Sequence, residues 1–151
     1  MANPISGVPP DLQETIARRL VLSGQRYTSN RRILVEILWR HGEPVTLPEM
    51  LSLQPSLAQS SAYRNLVVLE EAQVVTRLVT TGQFYSYELA EDLTGHHHHM
   101  ICRSCGGVKD FTAVDDLELL IEKAVKRASA KAGFATEDHR LDLIGLCIEC
   151  R

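Results

Sequence analysis

The stretch HHHHMICRSCGG at residues 96–107 joins four consecutive histidines to a Cys-x-x-Cys pair, and it decides the architecture. The same spacing recurs near the C-terminus, so that the pairs are Cys102 with Cys105 and Cys147 with Cys150. Two residues between thiolates let a tight turn aim both sulfurs at one ion, and two such turns supply a tetrahedral set. Disulfides are disfavoured in a reducing cytosol, and a redox-active site would use a single pair. The four thiols therefore predict a structural Zn²⁺.

The histidine run predicts further metal ligands. On an extended strand, successive side chains point to opposite faces. His96 and His98 then share one face, His97 and His99 share the other, and the run can serve two separate ions. Each ion needs ligands from elsewhere in the chain, and the candidates are Glu88, Glu118 and His139. A solvated polar loop is the alternative interpretation of the run.

The residues upstream of this stretch predict helices followed by a hairpin. The first helix opens at Pro9-Pro10-Asp11 and runs to about Ser23, and the second is capped by Thr28 or Ser29 and ends at Gly42. The remaining predicted elements are a short helix over Leu47–Leu53, a helix preceded by Ser60 and Ser61, and strands over 74–79 and 84–89. Ile33, Leu34, Ile37 and Leu38 are the predicted apolar face of the second helix. Helices followed by one hairpin predict a winged helix-turn-helix, in which a later helix enters the major groove of DNA.

The second half of the chain predicts a small α/β unit. Residues 90–95 (AEDLTG) are polar and turn-rich, which is typical of a hinge. Strands are expected over 100–102, 108–111 and 140–147, with a helix from Leu117 to Gly133 that lies against the sheet. So small a sheet leaves edges and apolar faces that a second copy can cover, which predicts a homodimer. The expected fold class is α+β, with a DNA-binding domain over 1–89, a hinge over 90–95 and a dimerisation domain over 96–151.

Charge and composition limit the possible partners. The 151 residues carry a formal charge of −3, but six arginines and one acid, Glu36, lie between Arg18 and Arg40. Such a local excess suits a phosphate backbone, although a solvated helix face is an equally good interpretation. The start of the chain lacks the pattern of an export signal, and the apolar runs are far shorter than the roughly 20 residues that span a bilayer. We expect a cytoplasmic protein with no membrane partner.

Taken together, these motifs resemble the ferric uptake regulator family of metal-sensing repressors. The run from His96 to Gly106 and the terminal Cys-x-x-Cys resemble the family's metal-binding half. The segment SAYRNL at residues 61–66 resembles its recognition helix, and residues 74–89 resemble its wing and domain junction. The resemblance covers about residues 15–151 and implies a dimeric winged-helix repressor that is not an enzyme.

The resemblance also implies roles for individual residues. The structural zinc site falls on the four cysteines, and the hinge site falls on Glu88, His97 and His99. A second regulatory site falls on His96, His98, Glu118 and His139, and the DNA contacts fall on Tyr63, Arg64 and Arg31. For Tyr63, packing against the wing is the competing interpretation. Many members take a fourth hinge ligand from a histidine where this chain has Pro44, and His41 or Glu43 can substitute.

The expected mechanism is a metal-gated repressor that binds a palindromic operator when a divalent cation fixes the hinge. The all-imidazole run favours Zn²⁺ as the sensed ion, with Fe²⁺, Mn²⁺ and peroxide sensing through iron as alternatives. A zinc hydrolase is the enzymatic alternative, but the chain contains neither HExxH nor GxSxG. A zinc-stabilised interaction module without DNA binding leaves the helix–hairpin half unexplained.

Overall fold

Four helices form the first part of the computed structural model, which describes residues 7–151. They are α1 (Pro10–Leu22), α2 (Ser29–His41), α3 (Leu47–Leu53) and α4 (Gln59–Glu71). Gly42 ends α2 in the left-handed conformation at φ +70°, as a C-terminal stop requires. The prediction that Ser60 and Ser61 precede α4 is wrong by two residues, because Ala58 is the N-cap and both serines lie in the first turn. The export-signal prediction concerns mainly residues 1–6, which lie outside the described residues.

The predicted hairpin forms the wing of the first half. Its strands are β2 (Val75–Leu78) and β3 (Ser86–Leu89), and they pair antiparallel with Leu78 opposite Ser86. A two-residue strand that the pattern did not predict, β1 (Val45–Thr46), adds to the other side of β3. The helices and this three-stranded sheet enclose one apolar core. Leu34, Val35 and Leu38 are the buried residues of α2, whereas Ile33 and Ile37 are only half-buried.

The predicted linker contains a helical turn, α5 (Glu91–Thr94). It is attached to the first half, because the Ala90 N–H donates to the Val74 carbonyl at 2.9 Å and Leu93 packs against the apolar core. The segment predicted as a hinge over residues 90–95 therefore contains ordered structure that is attached to the first half. A polar segment of six residues gave no hydrophobic period from which a single turn of helix could be predicted.

The second half is a three-stranded sheet with one long helix. Its strands β4 (His98–Cys102), β5 (Val108–Phe111) and β6 (Asp142–Gly145) have the order β5-β4-β6, with β6 parallel to β4. The long helix α6 (Asp115–Ala132) ends at Gly133, as predicted. None of its residues is buried, so the expected apolar packing of this helix on its own sheet is not observed. The α+β class is confirmed.

Candidate metal centres

The four cysteines meet at one point in the second half, and we call them the thiol cluster. Cys102 ends β4, Cys105 follows in the turn, and Cys147 and Cys150 follow β6, which pairs with β4. Their sulfurs lie within 4.8 Å of one another, and the Cys105 and Cys147 sulfurs are 3.8 Å apart. A tetrahedron with arms of 2.3 Å has edges of about 3.8 Å. The arrangement fits a Zn²⁺ ion, and no sulfur is in a disulfide.

Backbone N–H groups favour the thiolate form at Cys102. The N–H groups of Cys105 and Cys147 hydrogen-bond to the Cys102 sulfur and lower the pKa of Cys102 to about 6. The Gly107 N–H donates to the Cys105 sulfur at 3.4 Å, but the neighbouring Cys102 and Cys147 thiols outweigh it and leave the pKa of Cys105 above its usual value. The Cys147 thiol likewise contributes to raising the pKa of Cys150 to about 11. Because metals bind thiolates rather than thiols, Cys102 is prepared for a cation, and the other sulfurs lose their protons when it binds.

A second group of donors, the hinge cluster, joins the two halves of the chain. Glu88 on β3 belongs to the first half, and its Oε2 lies 3.2 Å from His97 Nε2 and 3.1 Å from His99 Nε2. Asp110 on β5 completes the group, with Oδ1 3.7 Å from His99 Nε2 and Oδ2 3.9 Å from His97 Nε2. Donor atoms of all four residues lie within 4.8 Å of one another. The cluster therefore spans the boundary between the halves.

The electrostatics of the hinge cluster favour a positive charge at its centre. Burial raises the pKa of Asp110, because the carboxylate is desolvated and the Glu88 carboxylate is near. Burial by itself lowers the pKa of His97, but the Gly95 carbonyl and the Glu88 carboxylate outweigh it and leave that pKa above its usual value. Two carboxylates facing two imidazoles in a partly buried space require either protons or a cation between them.

The third group, the helix cluster, connects the strand to α6. His98 Nε2 lies 2.6 Å from Glu118 Oε1, while His96 Nε2 and His139 Nε2 lie 3.5 and 3.4 Å from Glu118 Oε2. The hydrogen bond from His98 holds the pKa of Glu118 below its usual value. The His96/His98 and His97/His99 pairs thus lie in different clusters, in agreement with the alternation argued from strand geometry.

Unpaired buried atoms occur in both histidine clusters. Among residues 7–151, the buried side-chain atoms without a hydrogen-bond partner are His99 Nδ1, Asp110 Oδ1 and His139 Nε2. Leaving a buried polar atom unpaired costs about 1–3 kcal/mol. Asp110 Oδ1 in the hinge cluster and His139 Nε2 in the helix cluster fit sites built for an ion, whereas His99 Nδ1 lies on the other side of its ring and faces Asp142 Oδ1 at 3.6 Å.

The fourth donor of the hinge cluster is a residue that sequence reasoning missed. Asp110 lies in the cluster, whereas neither His41 nor Glu43 is among the grouped donors. The Glu43 carboxylate instead accepts a hydrogen bond from Lys109 Nζ at 2.6 Å, and His41 Nδ1 contacts the Glu43 carbonyl at 3.1 Å. No local signal could have found it, because Asp110 lies opposite His99 only through the β4–β5 pairing.

The predicted DNA-contacting residues lie on α4 and α2. Tyr63 is 48% exposed on α4, and the Arg64 Nε donates back to the Ser60 carbonyl at 3.3 Å. Arg31 on α2 is engaged within the protein, because its Nε donates to Asn65 Oδ1 on α4 at 2.9 Å. In this structure Arg31 ties α2 to α4, and Tyr63 is available to a partner.

A helix–wing half joined to a second half, with donor clusters in the second half and at the boundary, defines a class of protein, the metal-responsive transcription regulators. A model of the ferric uptake regulator family matches residues 22–144 of the chain. The chain belongs to the ferric uptake regulator family, whose members regulate transcription.

Individual relatives and a solved structure agree with this assignment. The ferric uptake regulation protein of Campylobacter jejuni is 31% identical over 146 residues, which cover 92% of this chain and 88% of that protein. The peroxide operon regulator of Bacillus subtilis is 28% identical over 134 residues, which cover 85% of this chain and 86% of that protein. The ferric uptake regulator of Helicobacter pylori has the same fold, with a TM-score of 0.73 at 24% identity and 97% coverage of both chains. Within residues 7–151, no helix combines the length and the hydropathy that crossing a bilayer requires.

Proposed function

We propose that the chain is a dimeric, metal-gated repressor whose hinge cluster sets the orientation of the DNA-binding half. The observation that carries the proposal is that the donors of the hinge cluster come from both halves of the chain. Glu88 comes from the wing strand β3, whereas His97, His99 and Asp110 come from the second half. Closing this cluster therefore fixes one half of the chain against the other.

The charges of the hinge cluster explain why closing it depends on a cation. Glu88 and Asp110 approach the same two imidazoles from opposite halves, and like charges disfavour that approach. A bound divalent cation neutralises both carboxylates and supplies a bond to each half. Without it, Glu88 is free to move away with the wing, and competent dimers are a smaller fraction of the population.

The other two clusters have different proposed roles. The thiol cluster holds a structural Zn²⁺ that joins the turn after β4 to the end of the chain. The helix cluster is a second regulatory site, which attaches α6 to the sheet through Glu118 and His98. Its four donors are His96, His98, Glu118 and His139.

Zn²⁺ is our first candidate for the sensed ion. The histidine run supplies imidazole nitrogens only, which suit Zn²⁺ well. Asp110 and Glu88 add oxygen donors to the hinge cluster, and this mixed set also suits Fe²⁺ and Mn²⁺. Peroxide sensing through iron is therefore the second candidate function, and a relative named as a peroxide operon regulator supports it.

The proposed dimer is formed by the second half. Large apolar side chains are exposed along α6 and around β6: Leu119, Leu120, Leu143, Ile144 and Ile148 are between 46% and 73% exposed. A second copy that covers this surface places two α4 helices on one side of the dimer. Two such helices about one helical turn of DNA apart read a palindromic operator, with Tyr63 and Arg64 as contacts.

The proposal is tested by combining metal analysis with DNA binding. The full chain, with one zinc equivalent retained in the thiol cluster, is titrated with a duplex selected on the metal-loaded protein from a random pool. Added Zn²⁺, Mn²⁺ or Fe²⁺ should tighten binding, and the His97→Ala/His99→Ala variant should lose that response while remaining a dimer. Equal affinity with and without every ion contradicts the proposal. A response to Fe²⁺ that hydrogen peroxide abolishes selects the peroxide-sensing candidate.

A further inference from the structure

The helix cluster poses a problem for any regulatory role. All four of its donors, His96, His98, Glu118 and His139, follow the linker in the chain. Unlike the hinge cluster, it takes no donor from the DNA-binding half. A cation held there can influence DNA binding only if some other contact transmits its presence.

Glu91 on α5 makes such a contact. Its Oε1 is paired with His96 Nδ1, the ring nitrogen on the opposite side from the nitrogen that faces Glu118. A carboxylate that accepts the N–H of one ring nitrogen fixes the imidazole's orientation and leaves the other nitrogen available to a metal. His96 Nε2 lies 3.5 Å from Glu118 Oε2. Glu91 is therefore placed to position His96 for the helix cluster.

The neighbouring residue ties the same helical turn to the DNA-binding half. The guanidinium of Arg19 on α1 donates to both carboxylate oxygens of Asp92: Nη2 donates to Oδ2, and Nη1 donates to Oδ1 at 3.3 Å. Arg19 also donates to the carbonyl of Gln73, just after α4. Forked arginine–carboxylate pairs fix direction as well as distance. The Arg19 side chain is 23% exposed but that of Asp92 is 65% exposed, so solvent screens the pair and its forked geometry, rather than burial, gives it direction.

We propose that α5 is a relay that couples the helix cluster to the DNA-binding half. This inference rests on the proposed metal occupancy of that cluster. Glu91 is a positioning residue, and its position depends on whether a cation fixes the His96 ring. Asp92 on the same turn then restrains Arg19, and through Arg19 the ends of α1 and α4. Leu93 packs against the apolar core of the first half, so the turn moves with that half rather than independently.

The relay requires two separable effects. Losing Glu91 should weaken the helix cluster itself, because removing an outer partner of a metal-bound imidazole typically costs about 10–100-fold in affinity. Losing Asp92 should leave metal affinity unchanged, since Asp92 does not contact the cluster, and should weaken only the transmission, because Ala90 and Leu93 still attach α5 to the first half. This separation distinguishes a relay from a merely structural contact.

The experiment uses the full-length His97→Ala/His99→Ala chain, in which the hinge cluster is silenced and one zinc equivalent stays in the thiol cluster. A second equivalent of Zn²⁺ is added, its affinity is measured by competition with a chelating dye, and amide hydrogen exchange is followed. We expect Zn²⁺ to slow exchange over residues 90–95 and over 71–75. Asp92→Asn should keep the affinity and the protection of 90–95, but lose much of the added protection of 71–75. Glu91→Gln should lower the affinity.

A matched variant controls for loss of charge. Asp116→Asn removes an exposed carboxylate from the first turn of α6 and should not change the spread of protection. Asp138 is unsuitable as a control, because its carboxylate lies within 4.8 Å of the donor atoms of Glu91 and His96. Protection of 71–75 that is undiminished in Asp92→Asn overturns the relay. No uptake of the second equivalent, or uptake unaffected by Glu118→Gln, overturns the proposed second metal site itself.

Discussion

The two halves of the chain are stabilised in different ways. The first half has one core of 18 buried residues that runs from Val8 to Leu89. The second half contributes only Ile101 and Val108 to a small cluster with Leu78, and α6 has no buried residue. Apolar burial therefore accounts for the fold of the first half, whereas we propose that the second half depends on bound metal and on a second copy.

The positions of the donor clusters follow this division. The thiol and helix clusters lie wholly in the second half, where they connect the β4–β5 turn, β6, α6 and the end of the chain. The hinge cluster lies at the boundary, where Glu88 is the donor from the first half. In the proposed function, a DNA-binding half with its own core is thus attached to a metal-binding half whose order depends on its ligands.

The largest expected effect concerns the thiol cluster. Cys102→Ser, or removal of its zinc by a strong chelator, should unfold the second half and leave the first half folded. The reason is that structural zinc supplies about 10–16 kcal/mol of apparent binding free energy in small zinc domains, and little apolar burial replaces it here. Amide protection should vanish over residues 98–147 and persist in α2 and α4. Retained protection in the second half, with metal absent, contradicts the comparison.

Truncating leucines in the two halves should have different consequences. Leu66 is fully buried in the first half, and Leu66→Ala should cost about 2–5 kcal/mol of unfolding free energy at any protein concentration. Leu120 on α6 is 63% exposed, so Leu120→Ala should change monomer stability by less than about 0.5 kcal/mol. It should instead weaken dimerisation, which sedimentation equilibrium measures. An unchanged dimer would show that a different surface is covered.

At the boundary between the halves, Asp110 and Glu43 are two acids that can be compared, because Asp110 is a donor of the hinge cluster and Glu43 is not. Asp110→Asn should lower the affinity of the hinge cluster for Zn²⁺ by more than about 100-fold, because it removes a donor rather than an outer partner. Glu43→Gln removes only the exposed pair with Lys109, which is worth about 0–1 kcal/mol. Isothermal titration with Zn²⁺ distinguishes the two. Equal losses would assign Glu43 to the site as well.

The smallest expected effect is confined to the first half. Thr46 and Glu49 form a capping box at the start of α3, in which the Glu49 N–H donates to Thr46 Oγ1 at 3.4 Å. Thr46→Ala should cost about 1 kcal/mol in the unfolding of this half. Ser52→Ala on the same helix loses only a bond to the Pro48 carbonyl and should be nearly neutral. A loss of metal affinity in either variant would argue against independent halves.

Local signals in the sequence predicted most of the fold and many of the donors. Gly42 and Gly133 ended helices as expected because each has a positive φ that favours glycine. The side-by-side placement of Cys102 and Cys147 could be predicted because two identical spacings imply one ion. The split of the histidine run followed from the two-residue period of a strand.

The features that were missed depend on tertiary contacts. Asp110 becomes a donor because β5 pairs with β4, and no local pattern distinguishes it from any other strand acid. The α5 turn forms on the surface of the first half, with Leu93 packed against the core. Arg31, which the resemblance predicts as a DNA contact, donates from Nε to Asn65 Oδ1 across the α2–α4 contact and from its terminal nitrogens to the Arg26 carbonyl and Gln25 Oε1. Sequence spacing carries none of this information.

The central claim is that a cation bound by Glu88, His97, His99 and Asp110 fixes the orientation of the two DNA-binding halves in a dimer. The most direct test is the distance between the two α4 helices, measured by spin labels at Ser60→Cys on a full-length chain that keeps its zinc in the thiol cluster. The account predicts a broad distance distribution that narrows when a divalent ion is added, and no narrowing in the His97→Ala/His99→Ala variant. The same distribution with and without the ion would contradict it.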